Sequence, residues 1–492
     1  MTASRAARSS LAALLRRAPP KAGADEGDIS SRSLAVYALP SISLAFLVLP
    51  VVYFLPPFYA SSLHVDLAAI GGFLLASRGL DVFLDPMIGR WSDSTRSRHG
   101  RRKIWILAGT PILMIGAYIL FMPPVAPNGW YLLMASFVIY AGGSILGLPY
   151  SAWGTEIAET YHGRSRMAGF RTLFGVLGGL LAAGVSSLTV FFGHPGVNRF
   201  SMAIFGWMII ALTPITVAIA VLRVPEPCVE DAQPQASWLR SMKEILANGP
   251  FRVLCGAFIL FSIGGSVVAA TMVFYLSDFL KQPEVVGPSF LVLQLSIVVA
   301  VPLWLWASRR IGKHRATSFS LLASIAIFAL WAPFLRAGDG WWFVLMVAVL
   351  GVVSAGYQTL PIGIIGDVID YDALKHGLPR GGIYWGVWSF AQKVAPALGI
   401  GVTLPALQFM GFRPGAHNSP GALIALRDTF CFAVIPFFSA GSVLLLGFPI
   451  NDRRHALIRL RLAAREARRA SGEVASPSPG VEPGNPLAGS LR

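Results

Sequence analysis

Within an otherwise apolar run of Leu, Ile, Phe and Gly, the sequence places Arg78, Asp81 and Asp85. A charge at membrane depth costs about 2.5 to 3.5 kcal/mol on insertion scales, so three of them within two helical turns need partners, water or both. Asp81 and Asp85 are four residues apart and therefore share one face of a helix. Two carboxylates one turn apart repel each other, and taking up one H⁺ or binding one Na⁺ relieves that repulsion. Arg78 can neutralise the pair or face a solute. A fourth charge, Lys393, follows Trp388-Ser389-Phe390-Ala391-Gln392 in another apolar run. It lies about ten residues inside that run, too deep for a lysine that only stretches to the interface, and is expected to couple or bind solute. Tyr357 and Gln358 are adjacent polar residues in the middle of a third run and imply a wet face. Trp388, like Tyr37, Trp153, Tyr357 and Trp385, can stack on a sugar ring, the alternative being a lipid-facing or interfacial aromatic.

The elements that must position these residues are membrane helices. The chain has 492 residues, 54% hydrophobic and 13% charged, with a mean hydropathy of +0.62, the balance of a protein solvated mostly by lipid. Runs long enough to cross a bilayer occur twelve times: 34–58, 67–90, 104–123, 130–152, 167–192, 200–222, 251–279, 287–308, 317–335, 341–363, 383–411 and 424–449. The expected fold is an all-α polytopic membrane protein with twelve transmembrane helices in two six-helix halves, 34–222 and 251–449. A basic tail (1–33), a middle loop (223–250) and a C-terminal tail (450–492) flank and join them, the last expected to end in disorder.

The net charge of +16 would raise the question of nucleic acid in a soluble protein. Here its placement answers that question. The tails and alternate loops carry most of the Lys and Arg, while the loops between them hold only Arg199, Lys281, Arg336 and Arg413. That asymmetry predicts both termini in the cytoplasm of a cell whose inner (plasma) membrane holds the chain. Cys228, Cys255 and Cys431 are far apart and form no metal or redox motif. No nucleotide-binding glycine loop, histidine metal cluster or nucleophile elbow is present, so hydrolysis and ATP drive have no support and no cofactor is expected.

The spacing Asp81-x-x-x-Asp85-Pro86-x-x-Gly89, with Ser94-Thr95-Arg96-Ser97-Arg98-x-Gly100-Arg101 after it, resembles the glycoside-pentoside-hexuronide:cation symporters of the major facilitator superfamily. Two later blocks fit the same pattern: Pro149-Tyr150 through Glu156, Arg164 and Arg171, and Asp367 through Asp370-Tyr371-Asp372, Gly377, Arg380, Gly382 and Lys393. The resemblance implies a cation site at Asp81 and Asp85, with a hydroxyl from the fourth helix that Ser144 can supply. It implies that Lys393 faces the aspartates across the two halves. It also implies that Gly89, Asp93, Arg101 and Arg102 form a structural loop that latches the second helix to a neighbour. Arg171, near the start of the fifth helix, is itself expected to be structural, paired with a loop acid such as Glu156. Where sodium-using members place a neutral oxygen before the second aspartate, this chain has Leu84, which favours H⁺ over Na⁺. The family's two sugar-binding acids correspond here to Ala45 and Gly147, so the buried charge leans toward an anionic group on the solute.

The expected function is secondary active, cation-coupled symport of a small solute, a sugar, glycoside or uronide, by alternating access in a monomer. The alternatives are symport of an anionic amphiphile such as a lysophospholipid, and a transporter-like receptor or assembly factor that moves nothing.

Overall fold

A computed structural model of the protein describes residues 30–97, 100–158, 161–226, 245, 247–376, 381–450 and 452–470. Most of the basic N-terminal tail, Arg98, Gly377, Arg380, most of the middle loop and the end of the C-terminal tail lie outside the described residues. Twelve helices are long and apolar enough to cross a membrane: α1 (Ser31–Ser62), α2 (Leu67–Ser94), α3 (Lys103–Phe121), α4 (Gly129–Ile157), α5 (Gly163–Phe191), α6 (Arg199–Arg223), α7 (Gly249–Phe279), α8 (Pro283–Ile311), α9 (Lys313–Phe334), α10 (Gly340–His376), α11 (Gly381–Phe409) and α12 (Pro420–Leu446). A thirteenth, α13 (Asp452–Ala470), follows the last span.

The helices differ from the sequence expectation at their ends. α10 continues past residue 363, its polar end held from outside by Lys313, which bridges Asp367 at 2.7 Å, and within the helix by His376, which meets Asp372 one turn back at 2.8 Å. α1 widens into π-turns at Pro50–Phe54 and Phe58–Ser62. Pro50, Pro56 and Pro57 lack the N–H of a regular ladder, and the wider turn accommodates them.

Lipid tails are as apolar as leucine, so helices in a membrane associate by close packing of small residues. The α3–α4 pair shows this. A Cβ added to Gly142 would meet the Leu113 nitrogen at 2.5 Å, and one added to Gly116 would meet the Ile139 Cα at 2.6 Å. Gly142→Val is therefore expected to force the two backbones apart and destabilise the first half by about 1 to 3 kcal/mol, read as a lower melting temperature in detergent. An unchanged melting temperature would contradict this packing.

Among the described residues, the two halves pack most closely at the end away from the basic loops. A Cβ on Gly71 of α2 would touch Pro405 of α11 at 2.9 Å, one on Gly401 would touch Leu75 at 3.0 Å, and the Ala68 amide donates to Gln408 Oε1 at 2.7 Å. At the same end, Gly287 of α8 lies against the Ser186 backbone of α5, and Tyr53 and Phe54 of α1 pack on Phe290. Toward the basic-loop end, Gly79 and Gly89 of α2 and Gly382 and Gly386 of α11 have open space beside them. Phe390 of α11 is exposed there. The bundle is thus closed away from the basic loops and open toward them.

Candidate functional site

Halfway along α2 and α11, just before the helices diverge, the predicted charges converge. Lys393 Nζ lies 3.0 Å from Asp81 Oδ2, 2.6 Å from Asp85 Oδ2 and 3.1 Å from Ser144 Oγ. Ser144, on α4, donates to the other oxygen of Asp81 at 2.7 Å. One turn earlier, the Arg78 guanidinium approaches Asp81 Oδ2 at 3.5 Å, and its Cζ lies 3.6 Å from the centroid of the Tyr140 ring. Tyr140 had no signal in the sequence: an aromatic in an apolar helix reads as lipid-facing until a cation is seen above it.

Burial sets the energetics of this cluster. The Asp81 side chain is 2% exposed, while Asp85 and Lys393 retain 22% and 24%. Two carboxylates balanced by a lysine and an arginine leave no net charge, the condition under which buried ions are tolerated. One oxygen, Asp85 Oδ1, is buried with no partner among the described residues. It is an acceptor with two lone pairs free, at the edge of a cluster that already binds one positive charge.

A cavity of about 490 Å³ opens between α1 and α5, lined by Ser41, Leu44, Ala45, Val48, Ala168, Arg171, Thr172 and Gly175. Ala45 stands there without a carboxylate, and open space surrounds Gly147. Arg171 was expected to pair with Glu156, and it does not. It donates to Ser151 Oγ at 3.0 Å and rests over Tyr150, 5.0 Å from the ring centroid. Tyr150 is fixed in turn: its hydroxyl meets Ser41 Oγ at 3.0 Å and donates to the Tyr37 carbonyl at 3.0 Å. Arg171 is thus a cation aimed at a cavity, with no carboxylate among its described partners.

Glu156 belongs to the loop. It accepts from Arg101 and Arg102, both at 2.7 Å; Arg102 also bridges Asp93 at 2.6 Å and donates to Ser92 at 2.5 Å. Burial would lower the pKa of Arg102, but the bonds from Glu156 and Asp93 outweigh it and raise the value, so the cation is firmly charged. Glu226, which the sequence did not single out, accepts the Arg102 and Lys103 amides at 2.6 and 3.2 Å. Gly89 stands in open space one turn before Asp93, and Arg164 holds the Ala158 carbonyl rather than this network. Reversing the charge in Arg102→Glu sets it against three acids. It is expected to slow transport several-fold while leaving the range of accepted solutes unchanged. A changed solute range in that variant would contradict a structural role.

The remaining candidates lie elsewhere. Trp388 is buried with its ring 4.1 Å from that of Phe258, so it packs the second half and is not available to stack on a solute. Tyr357 is half-buried between Phe261 and Phe438, and Gln358 donates to Ser354 on its own helix at 3.2 Å; among the described residues neither hydrogen-bonds to the Lys393 cluster. Gln358 is exposed, in keeping with a wet face.

Comparison with known proteins agrees with this architecture. The chain is 24% identical to the sodium-dependent lysophosphatidylcholine symporter 1 of Xenopus tropicalis, over 86% of each. It is 22% identical to the glucuronide carrier protein homolog of Escherichia coli (strain K12), over 87% of this chain and 94% of that one. The crystal structure of the nucleoside transporter NupG (D323A mutant) superposes with a TM-score of 0.59 at 18% identity, covering 85% of this chain and 98% of that one, a likeness of fold. Residues 36–452 match the profile of the MFS/sugar transport proteins; the chain is a polytopic membrane transporter and belongs to that family.

Proposed function

We propose that this transporter couples one cation, taken between Asp81 and Asp85, to the movement of an organic anion held at Arg171. The observation that carries this reading is the Lys393 ammonium on Asp81, Asp85 and Ser144, with Asp85 Oδ1 left free beside it. The lysine stands where a mobile cation would stand. Two like charges 4 Å apart repel by about 4 kcal/mol at an effective dielectric near 20, so a cation and Lys393 compete for the carboxylates. When the cation binds, Lys393 is released, the tie between α2 and α11 breaks, and the ammonium is free to meet an anionic solute. Leu84 leaves a metal ion short of one oxygen ligand, so the coupling ion is H⁺.

The cavity beside α1 and α5 has one arginine, hydroxyls from Ser41 and Thr172, and no carboxylate. This composition supports a uronide over a neutral glycoside, since a carboxylate can take two parallel bonds from one guanidinium. A lysophospholipid is the second reading. Leu44 and Val48 line the cavity and offer an apolar wall against which an acyl chain can lie. The basic loops orient both termini to the cytoplasm of a cell whose plasma membrane holds the chain, and one chain supplies every residue of the site, so a monomer suffices.

Counterflow in proteoliposomes tests the reading. With matched panels, a uronide preloaded inside is expected to draw in labelled uronide, while the corresponding neutral glycoside does not. Equal exchange of the neutral compound would overturn the anion assignment. Exchange of lysophospholipid alone would select the second reading.

A further inference from the structure

α13 has no part in the cation site or the cavity, yet it docks on the bundle. His455 Nε2 lies 3.0 Å from Asp370 Oδ2 and 3.4 Å from Asp367 Oδ1, and Ile458 is buried against the bundle. The depth of that docking point follows from α10. Trp341 and Trp342 at its start are exposed, as in the aromatic belts that mark a membrane interface. At 1.5 Å per residue, Asp367 lies about 38 Å further along the helix. The hydrocarbon core is about 30 Å thick and the whole bilayer about 40–45 Å, so Asp367 and Asp370 stand at the headgroup level of the opposite leaflet. On α8, Trp306 is exposed with the Arg310 guanidinium 5.5 Å from its ring, a second interface marker on the same side. Five residues separate Leu446, the end of α12, from Asp452, a tether of roughly 17 Å at most.

The face of α13 turned away from the bundle is mixed. Leu457 and Leu460 are 56% and 68% exposed, about half a turn around the helix from His455 and Ile458. Seven arginines lie along the helix against Asp452 and Glu466, and Arg454, Arg459, Arg461 and Arg465 are exposed. Clusters of this size just beyond a membrane span fit anionic headgroups, and leucines among them fit the boundary between headgroups and acyl chains. A second copy of the same helix would meet it with like charge.

We propose that α13 is a lipid-binding element, held at headgroup depth by His455 on Asp367 and Asp370, whose Leu457 and Leu460 enter the leaflet on the basic-loop side while its arginines bind anionic headgroups. The site is separate from the cation cluster, so its success or failure is independent of the transport reading.

The test uses the full chain with Cys228, Cys255 and Cys431 replaced by alanine and Ala464→Cys carrying a fluorophore. It is placed in vesicles of phosphatidylcholine alone, or of phosphatidylcholine with phosphatidylglycerol, each with brominated acyl chains. Quenching is expected in the anionic vesicles and not in the zwitterionic ones, and it should weaken as salt is raised. Arg459→Gln and Arg461→Gln should each lower the ratio of lipid-bound to free helix about fivefold, and Leu457→Gln with Leu460→Gln should lower it further, with counterflow retained. Equal quenching in both vesicles would overturn the proposal, as would insensitivity to the arginine and leucine substitutions. Shielding of the label by a second copy or a soluble acidic protein, without lipid dependence, would overturn it too.

Discussion

Asp81→Asn and Asp85→Asn are each expected to abolish cation-driven accumulation in proteoliposomes while the protein still inserts and folds. The amide keeps the volume of the carboxyl but cannot take up a proton or hold a metal ion, so the ion gradient loses its grip on the helices. The two variants are expected to differ in what remains. Asp81 is the more buried, accepts from Ser144 and lies beside Arg78. Its loss leaves Lys393 and Arg78 facing one carboxylate, and an uncompensated buried charge costs about 3 to 5 kcal/mol. Asp85 is partly exposed and, among the described residues, pairs with Lys393 alone, so Asp85→Asn should keep more downhill exchange. Concentrative uptake by both variants at the level of the unmodified protein would remove these residues from the cation site.

Arg171→Ala should raise the concentration of anionic solute needed for half-maximal transport about tenfold to a hundredfold, the range expected for losing hydrogen bonds to a charged group. Arg171→Lys keeps the charge but not the planar fork, so it should fall between the two. Because Arg171 also rests over Tyr150 and donates to Ser151, part of any loss comes from looser packing. The solute panel separates the two causes. Looser packing weakens every solute alike, whereas a lost anion partner weakens charged solutes alone. An unchanged response to the anionic solute in Arg171→Ala would contradict the cavity assignment.

The sequence made the cation cluster legible because charge inside an apolar run is expensive and the i,i+4 spacing fixes a common face. Lys393 stood out for the same reason. Ser144 did not, since a lone serine in a membrane helix is ordinary; only the resemblance to cation symporters singled it out, and the fold then put its hydroxyl on Asp81. The Arg171 pairing failed on a different ground. Glu156 ends α4 and faces the loop, while Arg171 lies two turns into α5 and reaches back to the Tyr150–Ser151 step. Proximity in sequence does not place two helices' ends together. Trp388 failed by rotation: five residues before Lys393, it is displaced about 140° around the helix, which turns its ring into the second half. Glu226 comes from 124 residues beyond Arg102, a separation that no local pattern signals. The twelve spans themselves were legible, since length and apolarity are the physical requirements for crossing a bilayer, but the polar end of α10 was not, because charged residues from 367 onward read as loop while ion pairs keep them helical.

The central claim is that Lys393 holds the place of a coupling cation that the solute's own movement brings in. The most direct measurement follows solute uptake and external pH together, in weakly buffered, Na⁺-free proteoliposomes. Concentrative uptake is expected to proceed and to alkalinise the medium in step with solute entry, and accumulation and the pH change should vanish together in Asp85→Asn, leaving only downhill exchange. Leu84→Asn, which restores an oxygen ligand, should add a dependence on Na⁺. Uptake that is indifferent to every cation gradient, or that needs Na⁺ in the unmodified protein with no proton movement, would contradict the account.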